Sequence, residues 1–268
     1  MSATLRYLLI YILGFAIYFY IDANFFSSIQ KELTLLTQSR ALGHILAYAL
    51  TTIPLLITIA VLHKTYLNIF EKLGLSKGLT IGIAFAFFST LPMLIGYSIK
   101  FNLISELSLD TIIINTIDAA FFEEVIYRAF LFGMLYRFTR LGFLPSVFLG
   151  SLLFGAAHLY QSTDITELTG IFLLTFIGSV IFAWIYSEWK FNLWAAILLH
   201  CLMNLYWLIF DVDSNALGGA YANIFRFSTI LFAIVGTIIY KRKKKVPLEI
   251  TKKNWWMKQK TPADKNQF

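Results

Sequence analysis

The sequence predicts an all-α fold, a polytopic transmembrane helical bundle of about eight helices, and three observations predict it. Of the 268 residues 58% are hydrophobic and only 14% charged, whereas a soluble domain carries roughly 25% charged residues. Mean hydropathy is +0.71, and 26 Phe, 14 Tyr and 6 Trp exceed what the core of a soluble chain this long requires. The apolar residues run in long stretches near the ~20 residues that cross a bilayer. They do not alternate in the segments of about ten residues that build an outer-membrane barrel. The lone cysteine, Cys201, excludes an intrachain disulfide.

Apolar runs bounded by polar residues, Gly or Pro give eight helices, roughly 7–26, 45–62, 79–98, 111–136, 142–158, 168–186, 191–210 and 220–240. The first follows one basic residue, Arg6, and ends in Asp22-Ala23-Asn24 without a small-residue cleavage site, so it reads as an uncleaved helix. The fifth, after Gly142 and Pro145, is the shortest and reads as a tilted or partly buried span. No repeat or linker marks a second membrane domain. The expected organisation is one integral-membrane domain, 1–240, with its core about 111–210, and a basic cytoplasmic tail, 241–268.

The formal charge of +7 is uneven. Residues 1–240 hold 12 basic and 13 acidic side chains, while the tail holds 10 basic residues against Glu249 and Asp264. A polybasic run directly after an apolar helix reads as a segment held near anionic lipid headgroups, with Trp255 and Trp256 at the interface, rather than as a nucleic-acid arm. Loop charges orient the chain. The side carrying the ends has Arg6, Lys64, Lys72, Lys77, Arg137, Arg140 and Lys190 besides the tail, and the other side has Lys31, Arg40 and Lys100. Both termini are therefore expected in the cytoplasm of a prokaryotic plasma membrane.

An ionisable side chain near the bilayer centre costs at least ~2.5–3.5 kcal/mol, so each needs a partner or a function. The candidates are Asp118, Glu123, Glu124 and Arg128 in the fourth helix, His158 at the end of the fifth, and His200 with Asn204 in the seventh. Arg226, near the start of the last helix, is read as snorkelling to the surface. Glu124 and Arg128, four apart, suit an ion pair on one helix face. Glu123, about 100° away, faces another neighbour and is left as a candidate general base. His200 and Asn204 also share a face and can donate toward one point, as an oxyanion requires. Gly155, Ala156 and Ala157 before His158 allow close helix approach.

Glu123-Glu124-x-x-x-Arg128, then Phe154-x-x-x-His158, then His200-x-x-x-Asn204 resembles the three-motif signature of the CAAX protease and bacteriocin-processing family. That family comprises the type II CAAX prenyl endopeptidases and their bacterial Abi-like relatives. The resemblance implies an intramembrane endopeptidase with an eight-helix core, acting on a membrane-anchored peptide or protein. By position, Glu123 with His158 would activate water, Glu124 and Arg128 would brace the site, and His200 with Asn204 would bind the oxyanion. Members that cut prenylated tails open toward the cytosol, whereas the helix order here puts His158 toward the outer end.

No cofactor is expected, and a glutamate-dependent mechanism is favoured over a metal-dependent one. Zinc remains an alternative, since Glu123, His158 and His200 could supply three ligands and leave a fourth position for water. No His-Glu-x-x-His or Gly-x-Gly-Asp motif occurs, and Ser151 lacks the setting of a serine protease. Cys201 diverges from His200 by about 100° and makes no nucleophile pair. The rival reading is a non-proteolytic immunity factor or scaffold. A proton-coupled transporter is weaker still, because no interrupted half-helices or inverted repeats appear.

Overall fold

From Val125 to Phe132 nearly every side chain is large and apolar, and this stretch becomes the pillar around which the chain is wound. Val125, Ile126, Ala129, Phe130, Leu131 and Phe132 are all buried, as befits a helix that is apolar all round. The computed structural model describes residues 3–258. The first helices are α1 (Ala3–Thr37), α2 (Arg40–Thr51), α3 (Ile53–His63), the short α4 (Ile69–Leu73) and α5 (Leu79–Lys100). The pillar α6 (109–138) follows, then α7 (Phe143–Ala157), α8 (Ile165–Glu188), α9 (Leu193–Ile209) and α10 (Ala220–Lys243).

All eight stretches read from the sequence are helical, and the chain is a polytopic helical bundle, an integral membrane protein. Among the described residues six helices are long and apolar enough to cross a membrane: Thr4–Thr37, Arg40–His63, Leu79–Lys100, Phe143–Gln161, Ile165–Glu188 and Ala220–Lys243. The other two are inner helices. α9 is apolar but only 17 residues long, and α6 carries Asp110, Asp118, Glu123, Glu124, Arg128 and Arg137. From Asp118 onward in α6, and along all of α9, no side chain is exposed. Screened by neighbours, they need not match the bilayer in length or polarity.

Two boundaries differ from expectation. α1 runs on to Thr37, because no Gly or Pro interrupts it after Gly14 and because Asp22 takes a hydrogen bond from Thr51 (3.1 Å) instead of ending the helix. The second stretch begins at Arg40 and breaks at Thr52, just before Pro54, whose nitrogen has no proton to donate.

α1 packs on α2 and α3, α5 on α9 and α10, and α7 on α8 and the pillar. Gly155 delivers the close approach expected of it, since a Cβ there would stand 2.9 Å from the Phe172 ring. Alternating helices bring both described ends to one end of the bundle. Tyr7 donates to Met134 O (3.0 Å), and Gly142 N donates to Trp256 O (2.8 Å). The chain after α10 turns back as a strap. The Glu188 carboxylate pairs with Lys241 and accepts from Glu249 N and Ile250 N, both at 2.9 Å. The boundary expected at 240 thus falls within α10. Lys260, Asp264 and Lys265 of the expected tail lie outside the described residues.

Candidate active site

Two segments of the pillar, Ile113–Asp118 and Glu124–Met134, are π-helical. Bonds from i to i+5 widen the turn, so successive residues rotate by less than the 100° of an α-helix. The switch falls between Glu123 and Glu124, and both carboxylates reach the same neighbour on α9. His200 stands between them, Nδ1 2.9 Å from Glu124 Oε1 and Nε2 3.8 Å from Glu123 Oε2. The expectation that Glu123 faces a different neighbour is corrected by this widened turn.

Glu124 is fully buried, and Arg128 Nη1 lies 3.2 Å from its Oε1, the pair the spacing of four predicts. The Arg128 guanidinium sits over Phe154 (4.2 Å) and toward Phe182 (5.4 Å), which replace water around its faces. Glu124 Oε1 therefore serves Arg128 and His200 together. A carboxylate accepts, so His200 Nδ1 donates, and Nε2 is left toward Glu123.

Glu123, Arg128, His158, His200 and Asn204 border one cavity of about 780 Å³. Glu124 braces its wall from behind. His158 ends α7, where its Nδ1 donates to Phe154 O (2.8 Å), which leaves Nε2 as an acceptor. Asn204 Nδ2 donates to Asn115 O (3.1 Å), a carbonyl of the first π-helical segment, and so spends one of its two N–H groups. Glu123 Oε2 is buried and has no hydrogen-bond partner. A carboxylate oxygen short of donors beside a cavity is suited to accept a proton from water.

Among the described residues no three His, Cys, Asp or Glu side chains are grouped to hold a metal ion, and Glu123, His158 and His200 are not such a set.

Arg226 is corrected outright. It does not snorkel: it is 8% exposed, stacks on Trp207 at 4.0 Å and donates from Nη1 to Ala216 O at 2.8 Å. Ala216 N in turn donates to Gln161 Oε1 (2.7 Å), so Arg226 and Gln161 hold the loop 210–219 across the cavity at the end away from the termini. Sequence gave no sign of this, because the loop has to fold back over the helix that follows it. Asp118 finds its partner in His44 of α2, a contact of Nδ1 with Oδ2. His44 escapes the sequence reading because the second expected run begins at 45, whereas the helix begins at Arg40. Ser151 bonds only Ser179, at 3.1 Å, and Cys201 does not border the cavity.

Residues 105–206, the segment that holds all three motifs, match the family described as Type II CAAX prenyl endopeptidase Rce1-like. A relative from Bacillus subtilis (strain 168), whose name reads "Putative membrane peptidase YdiL", is 30% identical over 102 residues. That stretch is 38% of this chain and 37% of the relative's length. No solved structure matches the chain.

Proposed function

We propose that the protein is an intramembrane endopeptidase that hydrolyses a peptide bond of a membrane-anchored peptide or protein, with Glu123 as the base. One observation carries the reading. The Glu123 carboxylate, whose Oε2 makes no hydrogen bond, lies 3.8 Å from His200, itself held by Glu124, on the wall of a cavity shared with His158 and Asn204. The match of residues 105–206 to a peptidase family supports it.

Water in the cavity attacks the carbonyl carbon of the scissile bond as Glu123 takes its proton, with His158 Nε2 as the second acceptor. The oxygen that gains charge accepts from His200 Nε2 and from the N–H that Asn204 has not spent. The proton on Glu123 passes to the leaving nitrogen as the C–N bond breaks. With both nitrogens of His200 protonated, Glu123, Glu124, Arg128 and His200 sum to zero charge, which suits a site poor in water.

No step in this scheme runs through a metal, so activity survives treatment with a chelator. Loss on chelation and recovery with zinc overturns that part. If both termini face the cytoplasm of a prokaryotic plasma membrane, the cavity opens on the opposite side, under the loop 210–219. The partners are then a membrane-anchored peptide or protein at the cavity and anionic headgroups at the basic tail. Mass spectrometry of membrane peptides from cells carrying the active or the Glu123→Gln protein tests the proposal. Products confined to the active form are expected, and identical peptide sets contradict it.

A further inference from the structure

A second cavity, of about 670 Å³, lies at the other end of the bundle, where α5 and α9 begin and α8 and α10 end. Its wall is basic, with Lys77, Arg137, Lys190, Lys241 and Lys244 against two acids, Glu71 and Glu188. Glu188 contributes little negative charge outward, because Lys241 and two backbone amides already saturate it. Arg137 is fixed by Lys72 O and Tyr186 and lies between the rings of Phe138 (4.9 Å) and Phe191 (4.8 Å). Lys77, Lys190 and Lys244 are exposed, and among the described residues no carboxylate pairs with them. All three line the same cavity, so an anion bound there would meet several positive charges at once. Two further features favour an anion. α5 starts after Gly78 without a side-chain cap, so its positive end and free amides face the same region. Trp189 and Tyr240 stack at 4.8 Å on the cavity wall, the amphipathic pair expected at headgroup depth.

We propose that this cavity binds a phosphate-bearing anion, either the headgroup of an anionic lipid or a free phosphate, through Lys77, Lys190 and Lys244. The site is separate from the proposed peptidase cavity and does not depend on that reading. A volume of about 670 Å³ is ample for a phosphate with its glycerol.

The experiment uses the full chain, purified in mild detergent, with native mass spectrometry after incubation with phosphatidylglycerol or phosphatidylcholine. The wild type is expected to retain one phosphatidylglycerol in preference to phosphatidylcholine. Retention should fall at least about tenfold in Lys77→Glu/Lys190→Glu/Lys244→Glu. Lys77→Arg/Lys190→Arg/Lys244→Arg keeps it, as does a tail control, Lys243→Glu/Lys245→Glu/Lys253→Glu. A second arm adds inorganic phosphate alone and follows the unfolding midpoint. A rise in the wild type that the Glu variant lacks assigns the site to a free phosphate, and lipid retention without such a rise assigns it to a headgroup. Equal lipid retention by wild type and pocket variant, with no phosphate effect, overturns the proposal. So does a loss of retention confined to the tail control.

Discussion

The side chain of Glu124 answers to two partners from a position with no access to water. Its Oε1 meets Arg128 at 3.2 Å and His200 at 2.9 Å, so removing either partner changes a buried charge balance. Arg128→Ala leaves that carboxylate uncompensated and should cost about 3–5 kcal/mol, read as a clear drop in the unfolding midpoint. Glu123→Gln should lower the midpoint much less than Arg128→Ala does, since Glu123 Oε2 forms no hydrogen bond, while turnover falls by ~10²–10⁴. Equal destabilisation by both substitutions would show that the two glutamates share one structural role. Arg226 offers a separate test. Arg226→Ala removes the bond to Ala216 O, and faster hydrogen exchange at residues 211–219 is expected; unchanged exchange would mean the loop is held without it. These roles were unequally legible. The Glu124 and Arg128 pair follows from a spacing of four, but burial of Arg226 depends on a loop whose path no local pattern encodes.

Among the elements, α6 does what its sequence does not announce. Its apolar periodicity reads as a helix, and it is one, but its two π-helical segments leave no mark in residue type. They matter because the α-helical angle predicts that Glu123 and Glu124 diverge, and the widened turn lets both meet His200. α7 was more readable. Its small residues Gly155, Ala156 and Ala157 announce a close contact, and Gly155 supplies it against Phe172 of α8. Gly155→Val forces these helices apart just before His158. The expected outcome is a lower unfolding midpoint together with reduced turnover. Full activity would show that His158 is positioned from elsewhere.

For the molecule as a whole, the deficit of charge that indicated a bilayer also marked its own exceptions. Asp118, Glu123, Glu124, Arg128 and His200 lie on the two inner helices, while the outer helices expose side chains such as Phe88 (63%) and Phe227 (58%). The strap after α10 was not legible, because a lysine-rich stretch reads as a segment held at lipid headgroups and its hydrogen bonds to 140–144 are made by the backbone. Topology gives the prediction at this scale. With Cys201→Ser as background, Ser214→Cys should react with a membrane-impermeant maleimide in intact cells, and Lys253→Cys only after permeabilisation. The reverse pattern places the cavity mouth in the cytoplasm. The central claim is that Glu123 performs hydrolysis at the bundle's inner cavity, and its most direct measurement is cleavage of a membrane-anchored peptide by purified protein in liposomes. Wild type is predicted to cut it and Glu123→Gln, equally folded, to leave it intact; the same products from both would contradict the account.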